Sequence, residues 1–248
     1  MKISPDHNQY CINEKSSHSR NIGLMFNQIA KHYDLMNSLM SLGKHHSWRK
    51  KLIDLSLPLS QGPSLDIATG TGDMIVELLK NDFPQTIVGI DISKNMIAEA
   101  KKKIPNTSTS DIILLLGDAH TLPFQNDFFG FITITFGIRN FHSPNLALNE
   151  FKRVLKPGGK IAILDIFKSE KSNVSNFFFQ LYFKLFPPIL GKLVAQNQKA
   201  YQYLPKSVDN FTTAKQLSEK MINTGLQIIE TQPTLLHHVN IIVAKKPN

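Results

Sequence analysis

The chain has 248 residues, 42% of them hydrophobic and 19% charged, with a formal net charge of +9. That length suits one well-buried domain rather than two, and a single cysteine, Cys11, excludes a disulfide framework or a thiolate metal site. The positive charge is dispersed, with Lys101–Lys103 as its densest run, so nucleic acid is not the expected partner, whereas weak attraction to anionic lipid is. Residues 1–20 read as a loose polar tail without the apolar core of a signal peptide. The nearest approach to a membrane span, residues 177–190, is interrupted by Gln180, Lys184, Pro187 and Pro188. A cytoplasmic protein is expected, with peripheral contact at the inner face of a membrane.

Past the tail, Phe26, Ile29, Ala30, Tyr33, Asn37 and Met40 follow helical spacing and predict one amphipathic helix. Gly43 separates it from a second helix over 47–55. From Ser64 the texture becomes alternating strands and helices. Strands are expected at 64–68, 86–91, 112–116, 130–135 and 160–167. Helices are expected at 74–81, 94–103 with Ser93 as N-cap, and 145–155, the last ended by Lys156-Pro-Gly-Gly159. Strands joined by helices of this length require parallel crossovers, hence an α/β, doubly wound sheet. Residues 170–204 are apolar and helical in character, and 213–224 read as a helix stopped by Gly225. Strands at 226–231 and 239–245, with no helix between them, read as a hairpin. The domain proper is placed at 21–248, with a helical cap at 21–60 and a helical insertion at 170–210.

The first strand runs into Asp66-Ile-Ala-Thr-Gly70-Thr-Gly72. Small residues there let backbone approach a ligand closely, and the crevice beyond the strand ends is where open α/β sheets bind. Asp91 ends the second strand, where its two oxygens can accept both ribose hydroxyls. A dinucleotide fingerprint would place Gly or Ala at Ile75, and Asp73 would repel a phosphate; both features disfavour NAD and ATP. Asp118 and Ala119 end the third strand, where the carboxylate can accept from an adenine amine and the Ala119 N–H can donate to a ring nitrogen.

These stretches resemble the class I S-adenosylmethionine-dependent methyltransferases. Five further segments look like the ubiquinone/menaquinone biosynthesis C-methyltransferases. They are Ile29-Ala-Lys-His-Tyr-Asp-Leu-Met-Asn37, Leu65–Asp73, Phe136-Gly-Ile-Arg-Asn140, Arg153–Gly159 and Tyr201-Gln-Tyr-Leu-Pro-Lys-Ser207. The glycine motif is general to the superfamily; the Tyr-Asp-x-Met-Asn and Phe-Gly-x-Arg-Asn motifs are specific to the quinone group. The resemblance implies a seven-stranded sheet with an antiparallel terminal strand and S-adenosylmethionine as cofactor, held at Gly70, Thr71, Gly72, Asp91, Asp118, Ala119 and Thr135. It implies a polyprenylated hydroquinone as acceptor, a demethylmenaquinol or also a benzoquinol. The chain departs from the family's usual pattern at Asp165, where Glu is common, at Asp118, where Asn is common, and in Leu235–Val239, which lacks a glycine pair.

Ring methylation needs an electron-rich carbon, which a hydroquinone supplies when a hydroxyl of pKa about 10 loses its proton. Arg139 is too weak a base for that, so it is read as stabiliser of the phenolate or orienter of a water, with Asn140 holding the water and Tyr33 closing over the acceptor. His32, His45, His46, His120 and His142 are candidate bases, none favoured over a structural role. His237-His238 lacks accompanying carboxylates, so no metal is expected. The aromatic run Phe177–Phe186 reads as a lipophilic tunnel, a membrane contact or a helix packed on the core. Two other functions fit the same residues: methylation of another lipophilic small molecule, and a non-catalytic nucleotide- or RNA-binding module.

Overall fold

Strands covered on both faces read as buried along their whole length, and β1 (Ser64–Ile67) and β2 (Ile87–Asp91) are of that kind. The computed structural model describes residues 17–81, 86–105, 111–169, 174–194, 197–235 and 238–248. β1 pairs in parallel with β2 and with β4 (Phe129–Thr135), β2 with β3 (Ile112–Leu116), and β4 with β5 (Leu155–Ile166). β6 (Gln227–Leu235) and β7 (Val239–Lys245) form the expected hairpin, and β7 inserts antiparallel between β5 and β6. The seven-stranded order is β3-β2-β1-β4-β5-β7-β6. It reverses direction between β1 and β4, so a crevice opens beyond the C-terminal ends of those strands.

Alternate side chains of each strand enter opposite layers. Phe131 packs with Leu52, Met74 and Leu78 of α3 (Lys44–Ser56) and α4 (Asp73–Lys80). Its neighbour Ile132 packs with Phe151 of α6 (Pro144–Val154) and Met221 of α9 (Ala214–Asn223). All of these are fully buried, each side chain contributing roughly 1.5–3 kcal/mol by leaving water. Caps fix the helix starts. Ser93 accepts from Met96 N at the start of α5 (Lys94–Lys103), Ser143 accepts from Leu146 N with Pro144 following, and Thr213 and Gln216 form a capping box on α9.

Several boundaries differ from those expected. The helix expected across 26–40 is two, α1 (Ser17–Ile29) and α2 (Tyr33–Ser41), joined by a 3-10 turn at Ala30–His32. The tighter turn brings Ile29, Ala30 and Met36 together onto Met96, Ala200 and Tyr201, an arrangement set by tertiary packing. Residues 17–20, expected in the tail, form the first turn of α1, because His18 and Ser19 find partners at Asn140 O and His142 Nδ1. Residues 1–16, with Cys11, lie outside the described residues, as does His237. β5 begins at Leu155, not Lys160, because Leu155 pairs with Phe129 across a bulge and Lys156–Gly159 continue the strand. Ile75 does not forbid close helix–strand packing: Gly89 of β2 makes room for it, where a Cβ would lie 2.8 Å from Ile75 Cδ1. The apolar 170–204 region supplies α7 (Val174–Leu193) and α8 (Gln198–Asp209), which pack beside α1 and α2 above the crevice.

Candidate active site

After β1 the backbone turns sharply, with Ala68 at φ +54° and Gly70 at φ +56°. The turn aims Gly70 N at Asp91 Oδ2 (2.8 Å), while Ser93 N donates to Asp91 Oδ1 (2.8 Å). These bonds tie the ends of β1 and β2 together. They border a cavity of about 650 Å³ lined by Tyr33, Gly70, Asp91, Asp118, Ala119, Thr135 and Asn140, among others. Burial pushes the Asp91 carboxyl up to about 6, against the backbone N–H groups that hold it down. A ribose hydroxyl would add another donor to that carboxylate. Ile90, Ile92, Met96 and Phe141 supply apolar walls suited to a base. The residues present therefore fit a nucleoside-sized cofactor.

Thr71 and Gly72 are not among the residues that line this cavity. Gly72, at φ +82°, is the N-cap of α4. Thr71 is buried, donating to Asp34 Oδ1 of α2 at 2.5 Å and accepting from Lys103 Nζ at 2.9 Å. Asp73 is not a free anion facing a ligand: Arg49 lies 3.2 Å and Lys103 2.6 Å from its carboxylate. Burial raises the pKa of Asp73, but the two cations outweigh it and hold the carboxyl below its ordinary value. The repulsion of phosphate expected from Asp73 is thus neutralised within the protein. Asp118 Oδ1 accepts from His120 N (2.9 Å) and Nδ1 (2.6 Å), so the carboxylate that borders the cavity also caps its own turn.

A second cavity, of about 900 Å³, adjoins the first and shares Phe26, Tyr33, Phe136 and Asn140 with it. Its walls are mostly apolar, from Met25, Ile29, Met40, Trp48 and Phe183, with Arg139 among a few polar groups. Phe136 stands at the junction with φ +58°, a strained conformation for a non-glycine residue costing of order 1–3 kcal/mol. A 3-10 turn at Ile138–Asn140 carries Arg139 and Asn140 beyond β4. Arg139 Nη1 donates to Asp165 Oδ1 and to Phe136 O, both at 2.6 Å, and Nε donates to Ser207 Oγ at 3.3 Å. The Arg139–Asp165 pair is buried, at 7% and 0% side-chain exposure.

Tyr33, the first residue of α2, lines both cavities. Burial pushes its phenol up, opposed by Arg139 and the Asn37 side chain. His45 also lines the second cavity, but Arg49 Nη1 donates to its Nδ1 at 2.6 Å, and burial with Arg49 lowers its pKa to about 4. A proton acceptor already capped by a guanidinium is a poor base. The His120 and His142 rings lie 3.8 Å apart at a 33° tilt, with His120 lining the first cavity and neither lining the second. Among the described residues no cluster of three or more His, Cys, Asp or Glu could hold a metal. Asn37, Tyr201 and Tyr203 also line the second cavity. The sequence reading gave them no role, although all three sit inside motifs it singled out.

A profile of the ubiE/COQ5 methyltransferase family matches residues 13–242. The chain belongs to this family. It is an S-adenosylmethionine-dependent methyltransferase, as the family and the fold together establish. It is 37% identical over 205 residues to the demethylmenaquinone methyltransferase of Thermotoga maritima, covering 82% of this chain and 87% of that one. It is 37% identical over 204 residues to the enzyme of the same name from Thermus thermophilus, covering 82% and 92%. Among solved structures, a SAM-dependent methyltransferase from Aquifex aeolicus superposes with a TM-score of 0.60 at 17% identity, covering 85% of this chain and 96% of that one, a likeness of fold.

Proposed function

We propose that this methyltransferase C-methylates a polyprenylated hydroquinone, converting a demethylmenaquinol to a menaquinol. The observation that carries the reading is the junction of the two cavities at Tyr33, Phe136 and Asn140, with the buried Arg139–Asp165 pair just beyond it. Gly70, Asp91, Asp118, Ala119 and Thr135 would hold the cofactor, which supplies when bound an electrophilic methyl group on a sulfonium. The apolar second cavity takes the acceptor ring. Arg139 stabilises the phenolate formed as the hydroxyl ortho to the target carbon loses its proton, and Asn140 and Tyr33 orient that oxygen. With the cofactor bound, the methyl group it supplies would go to that ring carbon, and the phenolic and ring protons would pass to water entering the acceptor cavity. Because both partners are held in adjoining cavities, positioning supplies much of the barrier reduction.

The isoprenoid tail leaves along α2 and α7. There Tyr182 Oη donates to Met40 O at 2.9 Å, both residues line the acceptor cavity, and Leu39, Leu42, Leu181, Leu185 and Ile189 are exposed. An apolar strip at that mouth, on a chain of net charge +9, suits peripheral contact with anionic lipid. Among the described residues no helix is long and apolar enough to cross a membrane.

The test supplies purified protein with methyl-labelled S-adenosylmethionine and, separately, a demethylated naphthoquinol, a demethylated benzoquinol and a sterol. Label in the naphthoquinol ring is expected. Cofactor binding without any quinol labelling would refute the acceptor assignment.

A further inference from the structure

Among the described residues, three that line the acceptor cavity each carry a buried polar atom without a hydrogen-bond partner: Asn140 Oδ1, Asn37 Nδ2 and Tyr201 Oη. A buried donor or acceptor left unpaired costs about 1–3 kcal/mol, so native proteins complete such atoms with water or with a ligand. Asn140 also borders the cofactor cavity, whereas Asn37 and Tyr201 border only the acceptor cavity. They come from α2 of the helical cap and α8 of the helical insertion, while Arg139 and Asn140 come from the turn after β4.

Tyr201 is held in place. Its side chain is 3% exposed, and the backbone of α7 lies directly on it. A Cβ at Gly191 would stand 2.5 Å from Tyr201 Cδ2 and 2.7 Å from Cγ. Glycine inside a helix costs about 1 kcal/mol relative to alanine, and here it permits that approach. Burial, with the neighbouring Tyr33 hydroxyl, raises the Tyr201 pKa, so the hydroxyl stays neutral. Asn37 reaches toward the Tyr33 hydroxyl at the junction of the cavities.

A hydroquinol has two oxygens on opposite edges of its ring. Only the one ortho to the methylated carbon must ionise; the other stays a hydroxyl and needs neutral partners. We propose that Asn37 and Tyr201 bind this second oxygen, Asn37 Nδ2 donating to it and Tyr201 Oη accepting its proton. This assignment rests on the quinol reading above, and it makes these two helices the specificity half of the acceptor site.

The experiment compares wild type, Tyr201→Phe, Asn37→Leu and Gly191→Ala with the demethylated naphthoquinol as substrate. The competing inhibitor is its monomethyl ether at the oxygen meta to the methylated carbon. Loss of one neutral hydrogen bond should raise KM about three- to tenfold, with kcat nearly unchanged and cofactor affinity that of wild type. The wild-type preference for free hydroxyl over ether should shrink by the same factor in Tyr201→Phe, which lacks the acceptor that only the free hydroxyl uses, and persist in Asn37→Leu, because an ether oxygen still accepts from the amide; loosened packing alone does not produce that split. Gly191→Ala should reproduce the Tyr201→Phe defect in a folded protein by displacing the ring. Wild-type turnover of the quinol, with unchanged KM in both polar variants and unchanged ether discrimination in Tyr201→Phe, overturns the assignment and leaves the quinol reading intact. Absence of wild-type turnover overturns both.

Discussion

Replacing Arg139 with alanine removes one half of an ion pair that has almost no contact with solvent. Asp165 would keep the Ile166 N–H at 2.7 Å and the residue-139 N–H at 3.3 Å, but lose its charge-assisted bond of 2.6 Å. An uncompensated buried charge costs about 3–5 kcal/mol. At roughly 2–4 °C per kcal/mol for a chain of this size, Tm should fall by about 6–20 °C. Combining Arg139→Met with Asp165→Asn leaves no orphan charge, so most of that loss should be recovered. Turnover should stay abolished, because no cation then faces the phenolate. Cofactor affinity, read by titration calorimetry, should be that of wild type in the double variant, since Arg139 borders only the acceptor cavity. Melting curves, labelled-methyl transfer and calorimetry on the two proteins separate these effects. A double variant that melts as low as Arg139→Ala would refute the account of the pair. Near-normal turnover without the guanidinium would refute its catalytic role, and lost cofactor affinity would move Arg139 to the other cavity.

Other consequences follow from single substitutions elsewhere in the fold. Asp66 is buried between the Thr69 and Thr133 hydroxyls, at 2.6 and 2.7 Å, and burial pushes its carboxyl up to about 6. The unfolded chain releases that proton near pH 4 while the fold retains it, so the contribution of Asp66 to stability should fall as pH rises from about 4 to about 6 and then level off. Asp91, raised to about 6 by the same cause, adds the same slope. His45, lowered from 6.5 to about 4, acts with the opposite sign over the same range, so the test is the difference between the two proteins: Asp66→Asn should make the profile less downhill by one proton's slope, about 1.4 kcal/mol per pH unit between pH 4 and 6, and an unaltered profile of the urea midpoint would contradict the burial account. Gly89→Ala places a Cβ 2.8 Å from both Ile75 Cδ1 and Leu114 Cδ2, an overpacking worth about 1–3 kcal/mol by chemical denaturation. Adding Ile75→Val should restore part of it, and no recovery would mean the contact is not the cause. Lys103 bridges Asp34 of the cap and Asp73 of α4 with its own side chain 26% exposed. Lys103→Met should cost no more than about 1 kcal/mol of stability, yet speed cofactor dissociation in stopped flow by freeing α2. An unchanged dissociation rate would argue against that coupling.

The strand and helix sequence from Ser64 to Lys245 was legible because each element announces itself locally. The apolar run of β3, the caps Ser93 and Thr213, and the helix-free gap between β6 and β7 are near-neighbour signals. Asp91 was legible for the same reason, since any side chain at the end of an inner strand must face the crevice. Thr71 and Asp73 were misplaced because their surroundings are remote in sequence: Lys103, Arg49 and Asp34 arrive from three other helices. The 3-10 break at Ala30–His32 carries no glycine or proline to mark it and follows from packing on Met96 and Tyr201.

By itself, then, the order of residues determined the doubly wound sheet, its antiparallel end and the crevice where a nucleoside can sit, because period, capping and turn chemistry act within a few residues of one another. Tertiary structure alone decided which polar side chains face an acceptor and which are consumed by the protein. Arg139 meets Asp165 from a different strand, and Tyr201 meets the α7 backbone at Gly191 from a different helix. Whether a buried polar atom is satisfied or left waiting depends on partners that only the folded chain brings within hydrogen-bond reach.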